Sequence, residues 1–162
     1  MSIKITSINV ADFNLNDTPL NTGFKKFFKE LRNKSFKSEI KEYIYINVWS
    51  IVCKPCIDEM TFLDLLSEKF NKDISYIMVS SHSNEAVNNF LKNENIKMKN
   101  FIFVNEMIDF ISGIYNEIEV KNQAFPLHVI LDRKGNCLAY LFGAFHDENS
   151  AAPLVNFINS LE

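Results

Sequence analysis

Three observations predict an α/β fold, a mixed central β-sheet flanked by α-helices on both faces. In the first half, apolar runs of strand length alternate with amphipathic stretches, which calls for parallel strands joined by helical crossovers. Residues 43–49 are apolar apart from Asn47, as a strand buried on both faces requires. The second half ends in two strand-like runs separated by a short turn with Gly135 near its end, then a helical stripe. That is an antiparallel hairpin followed by a helix.

In chain order, Ile3, Ile5, Ile8 and Val10 give residues 3–10 the character of a short edge strand. Residues 14–22 are polar, contain Pro19, and read as a loop. Phe24, Phe27, Phe28 and Leu31 recur at helical spacing over residues 22–33, and the charged stretch 33–42 reads as a solvated connection. The buried strand 43–49 follows, and it leads through Cys53-Lys54-Pro55-Cys56 into a helix marked by Met60, Leu63, Leu66 and Phe70. Residues 74–79 form the next buried strand. Ser83 is placed to cap a helix whose inner side is Val87, Phe90 and Leu91, with Glu85 in its first turn. Residues 101–104 make a short strand. Residues 106–116 carry Met107, Ile108, Ile111, Ile114 and Tyr115 at helical spacing. Residues 127–131 and 137–142 are the hairpin strands. The closing helix turns Ala151, Leu154, Val155, Ile158 and Leu161 inward.

A chain of 162 residues suits a single domain, residues 1–162, able to build a core without disulfide staples. A net charge of −3 leaves no broad basic surface for nucleic acid. Four glycines and four prolines leave little room for a flexible linker. No apolar run reaches the roughly 18 residues of a membrane span. The opening residues Met1 to Ser7 lack the layout of a signal peptide. The protein is then either cytoplasmic, or an export or anchor segment belongs in front of this sequence.

Three cysteines are too few for a disulfide framework, whereas one close pair plus a distant Cys137 fits redox or metal chemistry. A closed zinc site needs four ligands, and the other candidates, Cys137, His82, His128 and His146, stand isolated along the chain. A c-type haem needs histidine directly after the second cysteine, where Ile57 stands. A dithiol redox pair remains. Cys53 precedes the helix, where free N–H groups and the positive end of the macrodipole favour thiolate, so it is the exposed nucleophile. Cys56, within the first turn, is the buried resolver. Pro55 suits the first turn because its missing N–H is not needed there. Lys54 adds a cation, either modulating the sulfurs or simply solvated. Glu59 follows Cys56 by three residues on the same helix face. It is either a proton exchanger for the buried thiol or a glutamate complementing the helix dipole. Trp49 reads chiefly as core packing beside the site, with substrate contact as the alternative. His128 reads as structural, Cys137 as inert, Asp58 as surface charge.

Strand, dithiol and helix in this order resemble the thioredoxin fold, and more closely the thiol–disulfide oxidoreductases of the TlpA and ResA type. Four stretches carry the likeness: Ile46-Asn47-Val48-Trp49-Ser50; Cys53-Lys54-Pro55-Cys56 with Glu59; Phe125-Pro126 before a strand; and Val129 to Asn136 with Gly143 beyond it. It covers the chain from about residue 43 onward. Two departures stand out: Val52 replaces the tryptophan that usually precedes the first cysteine, and Thr61 replaces a proline that kinks the helix.

The resemblance implies a catalytic set of Cys53, Cys56 and Glu59, with Glu59 as proton exchanger since Asn47 stands where ordinary thioredoxins keep a buried acid. It implies a cis Phe125–Pro126 bond opposite the cysteines. It also implies that Phe125 and Pro126, with Trp49 beside them, border the substrate groove. The function implied is exchange of disulfides with protein substrates, chiefly as a reductase, with a separate thiol electron donor and no cofactor. The bacterial periplasm or cell envelope is the implied location. Two other readings are a binding module that uses the fold to hold a partner or metal, and a peroxidase of similar fold; no peroxidatic motif is evident.

Overall fold

The computed structural model describes residues 40–117, 125–133 and 137–161. The strand, loop and helix expected before residue 40, and part of the hairpin turn, lie outside the described residues. Five strands form one sheet in the order β3-β2-β1-β4-β5. They are β1 (Tyr43–Val48), β2 (Ile74–Val79), β3 (Phe101–Val104), β4 (Leu127–Asp132) and β5 (Cys137–Phe142). The helices are α1 (Lys54–Asp58), α2 (Met60–Lys69), α3 (Asn84–Asn93), α4 (Ile108–Glu117) and α5 (Glu148–Ser160). β1 pairs parallel with β2, and β2 with β3; β4 runs antiparallel to both β1 and β5. This is the expected mixed sheet, and its parallel half is joined by helical crossovers.

Period-two alternation along β1 sorts its side chains between two cores. Ile44, Ile46 and Val48 face a cluster closed by Phe110, Ile111 and Ile114 of α4. Tyr45 and its neighbours on the other face meet Cys56 of α1, Met60 and Leu63 of α2, Val87 of α3 and Leu154 of α5. Both faces are thus covered by helices.

Three elements differ from the sequence expectation. The helix after the cysteines is interrupted at Glu59, which ends α1 and precedes α2 even though Thr61 replaces the kinking proline. The carboxylate of Glu59 is drawn inward to two partners described below, and the break accompanies that burial. In α4, Ile108 is exposed at the helix start and Phe110 takes the buried place. Glu106 before it adopts φ 63° and cannot join the helix. α5 begins earlier than the apolar stripe, because Asp147 and Ser150 form a reciprocal capping box. Its buried stripe is Ala151, Leu154 and Ile158.

Candidate active site

The site is assembled at the C-terminal end of β1. Trp49 N–H donates to the Val79 carbonyl, extending the β1–β2 ladder by one residue before the chain turns. Ser50 then organises the turn. Its carbonyl accepts the Cys53 N–H at 3.1 Å and its hydroxyl oxygen accepts the Val52 N–H at 3.3 Å. His82, from the β2–α3 connection, presents Nε2 to the Ser50 hydroxyl at 3.0 Å and to the Ile51 N–H at 3.2 Å. The N–H groups of Ile51, Val52 and Cys53 are therefore all occupied. His82, isolated in sequence, buttresses the active loop.

Cys53 and Cys56 are joined as a disulfide, with Cα atoms 5.3 Å apart. Cys53 is the N-cap of α1 and its sulfur accepts the Cys56 N–H at 3.2 Å. The same donor serves a Cys53 thiolate once the bond is reduced. Cys53 is partly exposed, whereas Cys56 is fully buried. Pro55 occupies the first turn of α1 as expected. Lys54 is directed elsewhere. Both oxygens of Asp58 hold its Nζ, at 2.7 and 3.0 Å, in an exposed i,i+4 pair. The modulating role considered for Lys54 gives way to a surface ion pair, which contributes little in solvent.

Behind the cysteines lies a buried polar cluster. Glu59, 1% exposed, accepts the Asn47 amide Nδ2 at 2.9 Å on Oε1 and the Phe145 N–H at 2.9 Å on Oε2. Burial raises its pKa from 4.5 to about 8, against the opposing pull of those two donors. His128, also 1% exposed, reaches the Gly143 carbonyl with Nε2 at 2.9 Å. A carbonyl only accepts, so Nε2 carries the proton and Nδ1 is the acceptor. Nδ1 receives the Tyr45 hydroxyl and lies 3.3 Å from Asn47 Nδ2. Burial lowers the His128 pKa to about 4 and pushes that of Tyr45 well above its ordinary value. His128 Nε2 and Glu59 Oε2 stand 3.6 Å apart, yet near neutral pH both groups are uncharged and no ion pair forms.

The Phe125–Pro126 bond is cis. The β1–β4 register pairs Val48 with Leu127, so Pro126 lies at the sheet end from which the cysteine loop departs. Its carbonyl accepts the N–H of Gly143, which holds φ 99°, a region favouring glycine. Phe125 is partly buried and packs edge-on against Tyr115. Trp49 packs as its chief reading had it, and the substrate contact implied for it does not arise. At 1% exposure, enclosed by Phe90 and Phe103, it is a core residue and presents no surface to a substrate. Val52, by contrast, is 86% exposed immediately before Cys53. The sequence reading gave no part in the site to His82 and took His128 only as structural. Strand parity could have found the second, since Asn47 and His128 are register partners on one face. Burial pushes the Cys137 thiol up to about 12, in keeping with an inert residue. Among the described residues no group of three His, Cys, Asp or Glu side chains is arranged to hold a metal. No helix among them is long and apolar enough to cross a membrane.

Neither a protein-family model nor a curated protein matches the chain. Solved structures do. A candidate thiol:disulfide interchange protein DsbE from Chlorobium tepidum superposes with a TM-score of 0.56 at 17% identity, covering 78% of this chain and 84% of that one. A candidate thiol-disulfide oxidoreductase from Bacteroides vulgatus gives 0.53 at 27% identity, covering 76% of each chain. The exposed lipoprotein thioredoxin of Streptococcus pneumoniae gives 0.54 at 12% identity, covering 76% of this chain and 88% of that one. The chain has the thioredoxin-like fold, and its likeness within that superfamily is to the thiol–disulfide oxidoreductases.

Proposed function

We propose that the protein is a thiol–disulfide oxidoreductase that reduces disulfides in other proteins. The observation that carries this is the Cys53–Cys56 bond at the head of α1, with Glu59 buried behind it at a pKa of about 8. In the reduced protein, the Cys53 thiolate attacks one sulfur of the substrate disulfide and the other leaves as thiolate. Cys56 then attacks Cys53 Sγ in the mixed disulfide, expelling the second substrate sulfur and leaving the disulfide seen here. The thiol proton of Cys56 passes to Glu59, whose raised pKa suits it to hold that proton near neutrality. Two electrons move from dithiol to substrate, and a separate thiol donor must restore them. Phe125 and Pro126 border the substrate, with Val52 as an apolar contact beside the sulfurs. The exposed lipoprotein thioredoxin among the similar structures supports a working place in the cell envelope.

The test mixes reduced protein with a disulfide-linked peptide. One substrate disulfide should be opened for each Cys53–Cys56 bond formed, and an external dithiol should restore turnover. Reduced protein that leaves the peptide disulfide intact would reject the proposal.

A further inference from the structure

His128 sits between the two parts of the site without touching the sulfurs. Its strand, β4, begins immediately after Pro126, while its ring contacts lead to Glu59. Nε2–H donates to the Gly143 carbonyl at 2.9 Å, and Gly143 N–H donates to the Pro126 carbonyl at 3.0 Å. Two residues on, the His128 ring stacks on Phe145 with centroids 4.3 Å apart and planes 32° apart. The Phe145 N–H is the donor that holds Glu59 Oε2. The imidazole is therefore clamped on the segment 143–145 at both ends.

We propose that His128 is a positioning residue: by gripping Gly143 and Phe145 it fixes the Phe145 amide on Glu59 and ties that proton site to the Pro126 segment. This rests on the proton-exchange reading of Glu59 given above. The groups facing Glu59 are Asn47 and Tyr45 from β1, His128 from β4 and the Phe145 amide beyond β5. The far side of His128 meets a narrow crevice closed by Pro153, Leu154 and Phe157 of α5 and by Tyr140 of β5. Its α5 wall brings no charge that could replace the imidazole's role.

The expected sign follows from the bonds. The Phe145 N–H favours the Glu59 carboxylate and so lowers its pKa. His128→Leu keeps the space apolar but releases Gly143 and Phe145. The Glu59 titration, read as its side-chain carboxyl ¹³C shift, should then move upward by about one unit, as loss of a hydrogen bond to a charged group implies. His128→Gln retains one donor and one acceptor and should move it back. An unmoved Glu59 titration in a folded His128→Leu protein would overturn the proposal, leaving His128 a packing residue.

A second measurement needs no variant. Imidazole ¹⁵N shifts of the wild-type protein should report the Nε2–H tautomer from pH 5 to 9, with a perturbation tracking Glu59. An Nδ1–H tautomer would also overturn the proposal, because Nε2 could not then donate to Gly143. These readouts do not depend on turnover. If the Glu59 titration shifts in His128→Leu but exchange rates ignore both Glu59→Gln and His128→Leu, the positioning role holds and the proton-exchange reading falls.

Discussion

Cys53→Ser will abolish disulfide exchange, whereas Cys56→Ser will accumulate a covalent complex with its substrate. Cys53 caps α1 and is partly exposed, so an incoming disulfide can reach its sulfur in line. Cys56 is fully buried, and the sulfur it bonds is that of Cys53 itself. Without the first sulfur no mixed disulfide forms; without the second it forms and is not resolved. Non-reducing electrophoresis after mixing with a disulfide-bearing protein distinguishes the two. A covalent complex from Cys53→Ser, or none from Cys56→Ser, would reverse the assignment.

Glu59→Gln will slow exchange near neutral pH by about 10²–10⁴-fold, the usual cost of losing a positioned proton carrier. In the disulfide form Glu59 holds a proton up to about pH 8 and can give it to Cys56 as the bond is reduced. In the reverse direction its carboxylate takes that proton back. The inflection near pH 8 in the rate profile should therefore vanish in the variant, and the gap should close at higher pH as solvent takes over. The variant should fold. Its side-chain amide offers a donor, as the protonated carboxyl it replaces does. The Asn47 amide can rotate to meet that donor, because its Oδ1 has no hydrogen-bond partner among the described residues.

The two buried groups should enter the stability of the fold with opposite signs. Between pH 4.5 and about 8 the folded protein keeps the Glu59 proton that the unfolded chain has lost, so stability falls as pH rises. His128 is neutral when folded but protonated when unfolded between about pH 4 and 6.5, so its contribution rises with pH there. The two trends oppose each other below pH 6.5, which leaves the loss due to Glu59 visible above it. Over roughly 1.5 pH units that is about 2 kcal/mol, and it should be absent from denaturation curves of Glu59→Gln.

How much of this was legible in the sequence depended on how local each signal was. The dithiol, the β4–β5 strands and the alternation of strands with helices are written in short stretches, and the sheet took the expected mixed form. Asn47 without a buried acid on its strand pointed to Glu59, and the two are hydrogen-bonded. His82 and His128 looked isolated because their partners are distant in the chain: His82 lies 32 residues from Ser50, and His128 lies 81 from Asn47. Only the sheet register brings such groups together. Lys54 was left open because proximity in sequence suggested the sulfurs, while i,i+4 geometry offered Asp58. Trp49 read chiefly as core packing, and it is enclosed by Phe90 and Phe103; its place beside the motif alone left the direction of the indole open.

The position of β1 carries one more consequence. All six of its residues are paired with β2 on one side and with β4 on the other. A strand paired along both edges and buried on both faces exchanges its amide protons through global opening, whereas fraying reaches less paired segments first. The dithiol is thus mounted at the tip of the slowest-opening part of the molecule. Cys53 is partly exposed at that end, so the nucleophile is carried by the part of the molecule that opens last.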